Sequence, residues 1–138
     1  MGVDSSVVQQ LSQTDLFSSL SRRALERVAS QANVVHHAAG KEITEQGRSA
    51  AGFHLITDGT ASVSVNGAER PDIGPGQYFG EISLIDGEPR SATVVARTDL
   101  TTISLVSWAF TPILDEEPEV TKRLLTVLCS RLRAAEQS

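Results

Sequence analysis

From Asn33 to Val106 the chain is cut into short pieces by glycine, at positions 40, 47, 52, 59, 67, 74, 76, 80 and 87. The pieces between are runs with β-branched alternation: NVVHHAAG, KEITEQG, FHLITDG, TASVSVNG and TDLTTISLV. In ASVSVNG, Val63 and Val65 alternate with Ser62 and Ser64, which is a half-buried strand. It ends at Asn66-Gly67, the strongest short hairpin signal. Strands this short, joined by turns this frequent, close into a barrel, a sandwich or a roll.

Helical sequence flanks that β region. Ser21 is placed to cap RRALERVAS, where Leu25, Val28 and Ala29 share one face. Before it, TDLFSSL supplies Leu16, Phe17 and Leu20 as apolar plugs between short turns. After Ser107 the chain becomes helical again. Pro118 suits a first helical position, and Asp115, Glu116, Glu117 and Glu119 surround its positive end. Val120, Leu124, Val127, Leu128 and Leu132 follow at helical spacing, with Lys122, Arg123, Arg131 and Arg133 on the other faces. The expected fold is mainly β with flanking helices: N-terminal helices over 1–32, a β core over 33–106 and C-terminal helices over 107–138. At 138 residues the chain has room for one such domain.

Several function classes lose support at once. A net charge of −5 argues against nucleic acid binding by this chain alone, which needs a basic face to neutralise phosphate. No stretch reaches the ~20 apolar residues of a membrane span. The N-terminus lacks a signal-peptide layout, and a cytoplasmic location is expected. The one cysteine, Cys129, permits no internal disulfide and reads as a small core residue of the last helix. His36 and His37 are adjacent in a strand and point to opposite faces, and His54 stands alone. That leaves no metal-ligand cluster, and no nucleophile elbow or Walker loop occurs. No enzyme and no cofactor is expected.

The segment FGEISLIDGEPRSATVVA, Phe79 to Ala96, carries the chemistry. Gly80 allows a sharp turn or a close approach to the backbone. Glu81 then begins a stretch long enough for one helical turn, whose free N–H groups favour an anion. Nine residues on, Arg90 offers a planar, always charged fork suited to phosphate oxygens. Ser91 adds a hydroxyl, and Ala92 leaves its backbone N–H open to approach. A carboxylate repels phosphate, so Glu81, an acceptor only, suits a sugar hydroxyl instead. Singly, Glu81 reads as a dipole partner and Arg90 as a solvated cation. Their joint spacing reads as a sugar-phosphate site.

FGEISL, a five-residue spacer IDGEP, then RSATVVA resembles the phosphate-binding cassette of cyclic nucleotide-binding domains throughout. A second pattern of that family is met by ITEQGRSAAGFHLITDG with two departures. Arg48 stands where a polar or acidic residue is usual, and His54 interrupts an apolar quartet. The resemblance is closest to the sensor domain of bacterial catabolite activators, the cAMP receptor proteins, and it spans nearly the whole chain. It implies a single domain over 1–138 with a β-roll of the double-stranded, jelly-roll-like kind and its cassette at 79–96. It assigns the ribose 2′-hydroxyl to Glu81 and the cyclic phosphate to Arg90, with Ser91 and the Ala92 backbone helping. Gly80, Ile82 and Ser83 would line ribose and phosphate, and Val63 would pack on the ligand's apolar surface.

The function so implied is a regulatory domain that senses a cyclic nucleotide, with cAMP the leading ligand, and moves its C-terminal helices in response. An attached effector domain or a second copy would respond through the last helix. Only AAEQS follows Arg133, so the chain is expected to be either a stand-alone module or the sensor half of a larger regulator. The competing expectation is a β-roll that binds no ligand and serves interaction or dimerisation.

Overall fold

The computed structural model describes residues 5–44, 52–80 and 92–137. By their contacts they divide into two compact units, 31–111 and the pair of segments 1–30 and 112–138.

The first unit holds eight strands in two antiparallel sheets of four. Its strands are β1 (Asn33–His37), β2 (Glu42–Thr44), β3 (Gly52–Asp58), β4 (Ala61–Val65), β5 (Ala68–Ile73), β6 (Tyr78–Phe79), β7 (Thr93–Ala96) and β8 (Leu100–Val106). One sheet runs β1-β8-β3-β6 and the other β2-β7-β4-β5. Successive strands change sheet at every step except from β4 to β5; three of the changes are the corners between β1 and β2, between β3 and β4, and between β7 and β8. The corners are hydrogen-bonded to one another, Gly40 N–H to the Ala96 carbonyl at 2.7 Å and Arg97 N–H to the Thr60 carbonyl at 2.9 Å. Their backbone groups are thus satisfied where the sheet ladders end. This is the expected β-roll.

The β4–β5 hairpin forms where Asn66-Gly67 predicts it. Both residues have positive φ, 53° and 77°, and Val65 pairs directly with Ala68. That is the turn whose twist matches the flanking strands. The returning strand β5 carries AERPDI, charged and interrupted by Pro71, and is exposed along most of its length. It lies at a sheet edge, where a missing N–H does least harm.

The alternation of β8 gives the first sheet two buried faces. On one, Ile56, Phe79 and Leu100 meet Ala61, Val94 and Ala96 of the other sheet, with Ile43, Val63 and Ile73 packed against them. This is the interior of the roll. On the other, Phe53, Leu55, Ile103 and Leu105 are buried, and Phe110 stacks on Phe53 with centroids 4.8 Å apart.

In the second unit, α1 (Ser5–Ser12) buries Val7, Val8 and Leu11, and α2 (Arg22–Ser30) buries Ala24, Leu25, Val28 and Ala29. Leu16, Phe17 and Leu20 between them are buried as expected. Ser21 caps α2: its hydroxyl accepts from Ala24 N–H at 3.1 Å and its carbonyl from Leu25 N–H at 2.9 Å. The chain re-enters this unit within α3 (Ser107–Glu116), at Pro112, and continues as α4 (Pro118–Gln137). Pro118 opens α4 as its position predicts. Arg27 pairs with Glu117, and Arg123 with Asp15 at 3.5 Å.

The last helix departs from expectation at its cysteine, and its apolar stripe is only partly covered. Its apolar stripe is buried only at Val120 and Leu124; Val127 and Leu128 are half-buried, and Leu132 is 59% exposed. Cys129 is exposed, so it is no core residue. Helical spacing marks the face a helix can bury, not how far along that face a neighbour extends. No helix among the described residues is long and apolar enough to cross a membrane.

Candidate functional site

The two ends of the cassette lie on different sheets. Phe79 closes β6, an edge strand of the first sheet, and Gly80 follows it; Ala92 precedes β7, an inner strand of the second. Phe79 and Val94 nonetheless share the apolar cluster inside the roll, so both ends are tied to one packed floor. Gly80 has φ +95°, a backbone conformation open to glycine and strained for other residues, which accounts for glycine there. Five of the residues singled out in the cassette, Glu81, Ile82, Ser83, Arg90 and Ser91, lie outside the described residues. Gly80 and Ala92 lie within them, both half-buried.

The Ala92 end has an anchor that the sequence reading missed. Thr44 Oγ1 donates to the Ala92 carbonyl at 3.1 Å, a bond across 48 residues of sequence. It fixes the peptide plane just before β7, and nothing in ITEQG marks Thr44 for that role. Val63 pairs with Val94 across the β4–β7 ladder and packs on the interior cluster. It therefore forms part of the floor beside the Ala92 end.

The Gly80 end rests on Phe79, and Phe79 on His54. His54 and Phe79 are direct partners in the β3–β6 ladder, with rings stacked at 4.9 Å and 19°. His54 Nδ1 lies 2.8 Å from Ser104 Oγ, Ser104 Oγ 3.1 Å from Thr102 Oγ1, and Thr102 Oγ1 3.1 Å from His37 Nε2. The interior face therefore carries a polar chain beside its apolar cluster. Burial, with Lys41 and His36 adding repulsion, pushes the His37 imidazole below its usual value. His36 points the other way, exposed, with Nδ1 3.0 Å from Thr101 Oγ1. The opposed orientation of the adjacent histidines is as expected. Among the described residues no three His, Cys, Asp or Glu side chains gather where a metal could be held.

This arrangement sets a glycine turn and a pinned peptide at two edges of one apolar cluster. The family model for the cyclic nucleotide-binding domain matches residues 34–117. A cAMP-dependent protein kinase regulatory subunit of Aspergillus niger is 31% identical over 115 residues, 82% of this chain and 28% of that protein. The catabolite activator protein of Thermus thermophilus superposes with a TM-score of 0.78 at 30% identity, covering 88% of this chain and 60% of that one. The regulatory domain of Toxoplasma gondii PKA, solved with cAMP, has the same fold, with a TM-score of 0.82 at 23% identity over 92% of this chain and 49% of its own. The chain belongs to the cyclic nucleotide-binding domain family.

Proposed function

We propose that the chain is the cAMP-sensing part of a regulator. The observation that carries the reading is the intact cassette sequence within the matched span, with its flanks held as a ligand loop requires: Gly80 at φ +95° and Ala92 pinned by Thr44. In this reading Glu81 accepts from the ribose 2′-hydroxyl, and Arg90 pairs with the cyclic phosphate, helped by Ser91 and the Ala92 N–H. Gly80, Ile82 and Ser83 line the sugar-phosphate. The relatives named for cAMP support the choice of base, and the half-exposed stripe of α4 supports a partner, either an effector domain or a second copy. Ligand moves α3 and α4 only if it binds one packing of them more tightly than the other.

Calorimetry with cAMP, cGMP and linear AMP tests the reading. Arg90→Ala should weaken cAMP binding by about one to two decades, the loss of charge-assisted hydrogen bonds. An unchanged affinity would refute the cassette assignment. Absence of binding to the wild type at millimolar nucleotide would favour the ligand-free interaction module. Hydrogen exchange over residues 118–136 with and without cAMP tests the helix response, and protection confined to 79–96 would argue against it.

A further inference from the structure

The polar chain inside the roll has a hydrogen count that matters. Three hydrogen bonds join four heavy atoms: His37 Nε2, Thr102 Oγ1, Ser104 Oγ and His54 Nδ1. Each bond needs one hydrogen, and the two hydroxyls supply two. The third must come from one imidazole, while the other accepts. His37 Nδ1 is buried and has no hydrogen-bond partner among the described residues. An orphaned buried N–H is rarer than an under-satisfied acceptor, which places the His37 proton on Nε2. The chain then runs one way: His37 donates to Thr102, Thr102 to Ser104, and Ser104 to His54.

Adding a proton disturbs this order from either end. A proton on His54 Nδ1 reverses every bond and drives the His37 proton onto the orphaned Nδ1. A second proton, on His37, gives four hydrogens for three bonds, so one donor faces another. The charged groups bearing on His37 are Lys41, just past β1, and His36, its neighbour in β1. His54 has the His37 ring at 6.2 Å and Phe79 stacked on it. The residues of the opposing sheet in the interior cluster, Ala61, Val94 and Ala96 with Ile43, Val63 and Ile73, carry no charge.

We propose that His54 is a positioning residue for the nucleotide site: through a proton-ordered chain to His37 it holds Phe79, and with it Gly80, so that cyclic nucleotide binds best when both imidazoles are neutral. The inference rests on the reading of the cassette as a nucleotide site. The lowering of the His37 imidazole by burial, Lys41 and His36 agrees with it, since it favours the neutral ring.

Two measurements on the full chain test it. In nucleotide-free protein, nuclear magnetic resonance follows the histidine rings and the Gly80 amide from pH 5 to 8. The Gly80 amide should move with the His54 midpoint in wild type and lose that coupling in Thr102→Val. A Gly80 amide that ignores His54 would overturn the proposal whether or not nucleotide binds. In parallel, cAMP affinity is measured at pH 7.5 and 5.5. Wild type should bind about five- to tenfold more weakly at the lower pH, the scale of one hydrogen bond's positioning effect. His54→Gln, which keeps a hydrogen-bonding side chain that does not titrate, should retain affinity at both. His54→Phe should bind weakly and equally at both. The same pH dependence in wild type and both variants would also overturn it. A wild type that binds no cAMP at either pH refutes the nucleotide reading, and with it His54's role in binding, while the Gly80 titration still decides whether the chain holds Gly80.

Discussion

The two faces of the β1-β8-β3-β6 sheet come from the same four strands and differ in what they are made of. Phe53, Leu55, Ile103 and Leu105 fill one face with carbon, and Phe110 extends it. Their immediate neighbours, His54, Ile56, Thr102 and Ser104, line the other, where apolar packing gives way to a chain of hydroxyls and imidazoles. Burial does not explain the contrast, because Thr102 is as fully buried as Leu105, both at 0% exposure. Those buried apolar side chains can stabilise only by area and fit, which are indifferent to pH. The polar chain stabilises only while each donor has an acceptor, and it ends beside Gly80. The difference separates a face that keeps the roll folded from one that can inform its binding loop.

The largest expected effect lies on the apolar face. Phe53→Ala removes a fully buried ring from between Tyr78 and Phe110 and should cost about 3–5 kcal/mol of unfolding free energy. A loss of that size can unfold a small domain outright. Ile103→Val, at about 0.5–1.5 kcal/mol, keeps the test readable. Denaturant melts should show these losses unchanged between pH 7.5 and 5.5. A pH-dependent loss at Ile103 would show that the faces are not independent.

Much of this contrast could not be read from the sequence, for reasons particular residues make plain. The hairpin at Asn66-Gly67, the cap at Ser21 and the helix start at Pro118 are local, and each was legible because its partners lie within a few residues. Strand β5 was harder: Pro71 and its charges mask a strand that only an edge can accept. The stripe of α4 was legible as a pattern, but Leu132 and Cys129 show that spacing cannot reveal where packing stops. In the site, Gly80 and the cassette pattern were legible because the motif is contiguous. Thr44 and His54 were not, since their partners lie 48 and 50 residues away. His54 stood out only as a departure from an apolar run.

A middle-sized effect belongs to the polar face. Thr102→Val keeps the shape of a fully buried side chain and removes one hydroxyl from the centre of the chain. His37 Nε2 and Ser104 Oγ then each lose a partner, a cost of about 1–3 kcal/mol. A neutral or stabilising result would mean that the chain contributes little, and the two faces would then differ in composition alone. Comparison with Ile103→Val, one residue along and on the opposite face, makes the contrast internal to a single strand.

The smallest effect is the pH dependence of stability itself, and its sign follows from His37. Its imidazole titrates below the ordinary 6.5 because burial, then Lys41 and His36, disfavour the cation. Between that lowered value and 6.5 the unfolded chain binds more protons than the folded one, so stability rises with pH. The contribution is fully present above 6.5 and is lost as pH falls through the folded value. One proton limits the slope to about 1.4 kcal/mol per pH unit. Urea unfolding of wild type should therefore show lower stability at pH 5.5 than at 7.5. His37→Gln, which can still donate to Thr102 but does not titrate, should show a shallower slope. Carboxylates contribute to acid sensitivity in both proteins, so the comparison rests on the difference between them. Equal slopes would mean that His37 is not the proton-sensitive element and would leave its end of the interior face as pH-indifferent packing.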